Sequence, residues 1–236
     1  MTADARLIVG LDLPTVAAAK AMVASLGDTV SAYKIGLTLL ARPGGVELAH
    51  ALRAAGKSVF QDWKLHDIGA QVEGAARSVA EGGCDLLTVH AEPQVMHAAV
   101  AGRGDRPTRI LAVTVMTSLS HADLVAIGYS APAALLVEQR VRQAVACGVD
   151  GVVSSPLEAA RVREIAVELG RPGLLIVTPG VRPAGAEPGD QQRVATPAAA
   201  LAAGAPKLVV ARPILGAPDP AAAARAIVAE MAEVQS

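Results

Sequence analysis

Aromatic residues are scarce in this chain: two tyrosines, one phenylalanine and one tryptophan among 236 residues. Tyr33, Phe60, Trp63 and Tyr129 are too few to build the stacking platforms on which single-stranded nucleic acids are held. The net charge is −1 and the lysines and arginines are scattered, so there is no basic field for a phosphate backbone either. Nucleic acid is therefore not an expected partner, and any anionic ligand should be small and held by a few chosen cations. Cysteine is equally sparse. Cys84 and Cys147 lie far apart in no CxxC or His-paired spacing, which reads as two buried, reduced thiols. No Cys/His cluster and no set of three carboxylates announces a metal site, so neither a metal nor a cofactor is expected. Long apolar runs are missing too. The most apolar stretch, Val194 to Pro206, is interrupted by Pro197, Gly204 and Pro206, which excludes a membrane span. Met1 to Arg6 leads into a charged strand start without the apolar region of a signal peptide, so a cytoplasmic protein is expected.

What the chain does have is core-forming material: it is 52% hydrophobic with a mean hydropathy of +0.41. Short β-branched or Leu-rich runs recur eight times, at Leu7–Asp12, Ala32–Ile35, Ser58–Lys64, Leu86–His90, Ile110–Val115, Gly151–Ser154, Leu174–Thr178 and Leu208–Ala211. Between them, segments such as Thr15–Leu26, Gly45–Ala55, Gln71–Glu81, Ala131–Ala146, Pro156–Leu169 and Pro220–Val234 carry apolar residues at helical spacing. Gly27, Gly56, Gly148 and Gly170 fall where helices should stop. An open doubly wound sheet would normally carry a glycine-rich first turn, whereas the first turn here is Asp12-Leu13-Pro14. Eight β/α units without a linker predict a single (β/α)8 TIM barrel spanning residues 1–236.

In such barrels the chemistry gathers at the C-terminal ends of the strands. The polar residues fall there: Asp12 ends strand 1, Lys34 nearly ends strand 2, and Asp62 and Lys64 end strand 3, with Asp67 just beyond. His90 ends strand 4, Thr117 follows strand 5, Thr178 ends strand 7 and Arg212 follows strand 8. The densest stretch is Phe60-Gln61-Asp62-Trp63-Lys64-Leu65-His66-Asp67-Ile68. By the two-residue period of a strand, Asp62 and Lys64 share one face and Trp63 turns to the helical layer. A surface salt bridge at a strand terminus is the plain reading of that pair. An inward-facing pair is costly to desolvate and points instead to a site. Lys34, Asp62, Lys64 and Asp67 alternate in sign, so each could keep its neighbours ionised in a partly dry pocket. A lysine held as ammonium is a proton donor, which suits protonation of a developing carbanion.

These motifs resemble the orotidine 5′-monophosphate decarboxylase family from Leu7 to about Ala229. The matching residues are Gly10-Leu11-Asp12, Lys34-Ile35-Gly36, Asp62-x-Lys64-x-x-Asp67-Ile68, Val89-His90-Ala91 and Val113-Thr114-Val115-x-Thr117-Ser118. Thr178-Pro179-Gly180-Val181-Arg182-Pro183, Gly189-Asp190-Gln191 and Arg212-Pro213 complete the set. The resemblance implies decarboxylation of orotidine 5′-monophosphate to UMP, with no metal. Lys64 would protonate C6, Asp62 would lie against the substrate carboxylate, and Lys34 and Asp12 would bind ribose hydroxyls. Asp67 and Ile68 would cross into a neighbouring subunit's site, making the enzyme a homodimer with shared sites. Arg212, beside Ala211, suits a phosphate at the ends of strands 7 and 8. Arg182 and Gln191 bracket a polar loop, Gly180 to Asp190, that reads as a lid or as an ordinary loop, and in the family it grips the phosphate. Thr117 reads equally as a turn cap or a pyrimidine contact, and the resemblance favours the contact.

The chain departs from the family pattern in places. Gly69-Ala70-Gln71 stands where Pro-Asn-Thr is usual, which loosens a turn and changes the contact expected of Gln71 to a partner's ligand. Ala211 replaces glycine before Arg212, harmless at negative φ and crowding at positive φ. His66 and His90 read as structural residues. Magnesium-dependent sugar-phosphate decarboxylases and synthases on the same barrel resemble this chain, but with Glu where Lys34 stands, and an ammonium there would repel the ion. A non-catalytic nucleotide-binding barrel is the remaining alternative.

Overall fold

The computed structural model describes residues 3–183 and 195–234. Eight strands form a closed barrel in sequence order, every neighbouring pair parallel: β1 (Leu7–Gly10), β2 (Ala32–Gly36), β3 (Ser58–Leu65), β4 (Leu86–His90), β5 (Arg109–Val113), β6 (Gly151–Val153), β7 (Leu175–Thr178) and β8 (Lys207–Val210). The helices are α1 (Val16–Leu26), α2 (Leu37–Leu40), α3 (Gly45–Ala54), α4 (Gly69–Glu81), α5 (Pro93–Arg103) and α6 (His121–Ala126). They continue with α7 (Ala133–Ala146), α8 (Ala159–Glu168), α9 (Pro197–Ala202), α10 (Arg212–Leu215) and α11 (Pro220–Ala232). This is the (β/α)8 architecture that the alternation of elements predicts. No described helix is long and apolar enough to cross a membrane.

The boundaries shift by a few residues for local reasons. Strand 1 was expected to reach Asp12 but ends at Gly10, because Asp12 leaves the ladder to pair with Lys34. Helix α4 starts two residues before the expected Gln71, since the Ile68 carbonyl accepts hydrogen bonds from the N–H groups of both Gln71 and Val72. Helix α8 begins at Ala159 rather than Pro156, because Ser155 to Glu158 close a turn of their own. At the helix ends, Gly27, Gly56, Gly148 and Gly170 all adopt positive φ, the conformation their expected stop positions require.

Period-2 alternation divides the strands into two apolar layers. Ile8, Ala32, Phe60, Leu86, Leu111, Leu175, Val177 and Val209 point inward and fill the barrel. Their neighbours Val9, Tyr33, Ile35, Val59, Leu87 and Val89 point outward and pack under the helices. Trp63 packs against that outer layer, its indole N–H donating to Gln61 Oε1 at 2.9 Å. Inside the barrel, one step beyond Ala32, Phe60 and Leu86 in the same parity, stand Lys34, Asp62 and Thr88. The apolar fill is therefore the floor on which a polar cluster rests.

Helix α4 follows directly on Asp67 and Ile68, so its seating positions them. It packs on α5 at very short range: a Cβ on Gly102 would lie 2.2 Å from the Glu73 carbonyl oxygen. Gly102→Ala should destabilise the protein by roughly 1–3 kcal/mol through this overpacking. Urea unfolding measures it, and an unchanged midpoint would show that the two helices do not approach so closely.

Candidate active site

Four charged side chains from three adjacent strand ends form one chain of ion pairs. Asp62 Oδ2 lies 2.7 Å from Lys64 Nζ and 3.4 Å from Lys34 Nζ. Lys34 Nζ in turn donates to Asp12 Oδ1 at 3.0 Å. Lys34 and Asp62 are buried, while Asp12 and part of Lys64 face the opening. The other Asp62 oxygen accepts a hydrogen bond from the Thr88 hydroxyl at 2.8 Å, and that hydroxyl accepts one from the Lys64 backbone N–H at 3.0 Å. Thr88 thus fixes both ends of the Asp62–Lys64 pair. Space for the cluster depends on glycine: a Cβ on Gly36 would lie 3.0 Å from Asp12 Oδ1 and 3.1 Å from Lys34 Nζ.

The electrostatics follow from burial and partners. Burial alone would raise the Asp62 pKa, but Lys34 and Lys64 outweigh it and hold the carboxyl below its ordinary value of 3.8. Burial would lower the Lys34 pKa, yet Asp62 and Asp12 hold the ammonium above its ordinary 10.5. The alternating signs therefore keep both buried groups charged.

Lys64 is held at a backbone cost. Its φ is +49°, the left-handed region, and the register between β3 and β4 shifts between Gln61 and Leu65. A bulge at this point re-aims the side chain over the barrel mouth, a strain typical of functional positions and worth about 1–3 kcal/mol.

The cluster forms one wall of a cavity of about 480 Å³ at the C-terminal end of the barrel. Phe60, Val113, Val153 and Val209 make its apolar floor. Of the residues expected to bind substrate, Asp12, Lys34, Asp62, Lys64, Thr117, Arg182, Ala211 and Arg212 all line it. Thr117 is buried there, and Arg212 opens α10 at the rim. Ala211 has φ −121°, so the crowding that a methyl group would meet at positive φ does not arise. Arg182 is buried, with its backbone N–H donating to the Ala195 carbonyl at 2.9 Å. Gln191 and most of the expected lid fall outside the described residues.

One expectation changes. Asp67 was expected to alternate with Lys34, Asp62 and Lys64, but within one chain Asp12 fills that position. Asp67 is exposed and its carboxylate accepts from the Ile68 N–H at 2.6 Å. Ile68, at 64% exposure, and Gln71 likewise face outward, away from their own chain's cavity. His66, expected to be structural, packs on His90 with ring centroids 4.8 Å apart and approaches Glu92 Oε2 at 3.7 Å. Thr88 was not anticipated, although its inward parity in an apolar strand was a readable signal.

Residues 5–227 match the family described as Orotidine 5′-phosphate decarboxylase / HUMPS family. The chain is 65% identical over 234 residues to the orotidine 5′-phosphate decarboxylase of Caulobacter vibrioides, covering 99% of this chain and all of that one. It is 57% identical to the enzyme of the same name from Rhodopseudomonas palustris, covering 96% and 94% of the two chains. Among solved structures, orotidine 5′-phosphate decarboxylase from Lactobacillus acidophilus superposes with a TM-score of 0.81 at 33% identity, covering 97% and 99%.

Two outcomes are expected from this geometry. Lys64→Gly should be more stable than Lys64→Ala by about 1 kcal/mol, because both lose the amine while glycine alone relieves the positive φ. Denaturant unfolding of the pair checks it, and equal or reversed stabilities would mean position 64 is not strained. In carboxyl- and amine-resolved NMR titrations, Asp62 should titrate below 3.8 and Lys34 above 10.5. Asp62's contribution to stability is then complete above 3.8 and lost as pH falls through its lowered folded value. Lys34's is complete below 10.5 and lost as pH rises through its raised one.

Proposed function

The chain belongs to the orotidine 5′-phosphate decarboxylase family and decarboxylates orotidine 5′-monophosphate to UMP in pyrimidine nucleotide synthesis, and we propose that it does so without a metal ion, using Lys64 as the acid. The observation that carries this reading is the Lys64 ammonium, 2.7 Å from a buried Asp62 and above an apolar floor.

In this mechanism the pyrimidine lies over Phe60, Val113, Val153 and Val209 with C6 toward Lys64. The C6–carboxylate bond breaks, carbon dioxide leaves, and the electron pair stays on C6. Lys64 gives a proton from Nζ to that carbon and is recharged from solvent. The ammonium stabilises negative charge as it builds at C6, more in the transition state than in the substrate. Asp62 lies against the substrate carboxylate and holds Lys64 in line. Lys34 and Asp12 take the ribose hydroxyls, and Thr117 contacts the base. Arg212, Arg182 and Gln191 take the phosphate, with the backbone around Ala211 beside it. Binding energy from that remote phosphate is available to orient the reacting end.

A divalent cation is poorly served at this cluster. Lys34 Nζ already lies between Asp12 and Asp62, and its positive charge opposes a second cation there. That supports the nucleotide reading over magnesium-dependent sugar-phosphate chemistry. The outward direction of Asp67, Ile68 and Gln71 supports a homodimer in which these residues complete the partner's site. The whole chain then acts as one catalytic domain, and the buried, free Cys84 and Cys147 fit a reducing cytoplasm.

Lys64→Ala should stay folded and lose turnover by roughly 10²–10⁴-fold or more, the scale of general-acid catalysis. Loss of substrate absorbance measures it, and near-wild-type turnover would remove Lys64 from the mechanism. Lys64→Ala and Asp67→Ala, each inactive alone, should regain activity when mixed, since a heterodimer contains one intact composite site. No recovery after demonstrated subunit exchange would contradict the shared site.

A further inference from the structure

We propose that His66, His90 and Glu92 form a binding site for one borderline divalent cation of the zinc class, outside the catalytic cavity. The barrel register creates the site. Leu65 of β3 pairs with Val89 of β4, so the next residues, His66 and His90, emerge side by side. Their rings lie 4.8 Å apart at 33°. Glu92 follows two residues later, at the N-cap of α5, and brings a carboxylate to the same point. The ligand atoms of all three residues lie within 4.8 Å of one another. None of the three lines the catalytic cavity.

The donor set and its spacing fit such an ion. Zinc bonds of about 2.0–2.2 Å in a tetrahedral site put ligand atoms roughly 3.3–3.6 Å apart. His66 Nε2 and Glu92 Oε2 are already 3.7 Å apart. His66 is exposed, so its ring is free to swing the remaining distance. Glu92 Oε2 is the independent signal: it is buried and accepts no hydrogen bond. The other oxygen, Oε1, is steadied by Arg140 Nη2 at 3.4 Å, an outer contact of the kind that orients a metal-binding carboxylate. Two imidazoles among three ligands select zinc, cobalt or nickel over magnesium or calcium. Because His66 immediately precedes Asp67, an ion held here would restrain the segment carrying Asp67 and Ile68.

The test is calorimetric titration of the full-length, EDTA-treated and desalted protein with Zn²⁺, and separately with Mg²⁺. One Zn²⁺ should bind per chain and Mg²⁺ should not. Glu92→Gln, His66→Gln and His90→Gln should each weaken Zn²⁺ binding by more than about tenfold. His97→Gln should leave it intact, although His97 Nε2 lies 3.4 Å from Cys147 Sγ and offers the rival pair. Circular dichroism checks folding, and if the half-buried His90 variant fails it, exposed His66→Gln decides alone. Absence of Zn²⁺ binding, equal binding in wild type and His66→Gln, or loss in His97→Gln instead would overturn the proposal.

Discussion

The carboxylate of Asp62 is the constraint around which the rest of this molecule is arranged. A buried anion is tolerated only when it is paired and hydrogen-bonded, and breaking a buried pair typically costs about 3–5 kcal/mol. Asp62 has two ammonium groups and a hydroxyl, each supplied by a different register position. Lys34 comes from β2, Thr88 from β4, and Lys64 from the far side of a bulge in β3. A closed parallel barrel supplies this geometry, because adjacent strands bring inward residues of one parity to its mouth, Lys34 pairing with Phe60 one inward step below Asp62.

The same arrangement separates binding from support. Below the cluster the barrel is filled with aliphatic side chains and Phe60, which exclude water and give the charges a rigid floor. The cavity above it is lined also by Thr117, Arg182 and Arg212. Charges held in place before substrate arrives need little reorganisation when a carbanion forms, which is where electrostatic catalysis gains most. The left-handed backbone at Lys64 shows the cost of that arrangement. The chain accepts local strain to aim one ammonium group, and the surrounding pairs hold it there.

Much of this was legible from residue order, because parity and strand ends are local properties. Trp63 packs outward and the cavity collects Asp12, Lys34, Thr117 and Arg212 from separate strands, as parity and strand ends require, whereas Lys64 reaches Asp62 by way of a bulge and a left-handed φ that no sequence period shows. Asp67 stands outside the network of its own chain, because charge alternation along a sequence does not reveal which carboxylate reaches a given lysine. Asp12 is 22 residues from Lys34 and joins it only through strand pairing. Thr88 gives little signal in the sequence, because a lone threonine in an apolar strand carries no charge. His66, His90 and Glu92 form no spacing motif, and they meet only because Leu65 lies in register with Val89. The tolerance of Ala211 is not legible in the sequence, since it depends on backbone angles that residue order does not reveal.

The central claim is that fixed protein charges, with Lys64 as acid, perform the decarboxylation without a metal. Its most direct test is the rate of orotidine 5′-monophosphate conversion to UMP by purified protein, measured with and without excess EDTA. Full turnover in EDTA is the predicted result. Loss of turnover in EDTA that returns on adding Mg²⁺ would contradict it, because Lys34 would then have to share its place among the carboxylates with a cation.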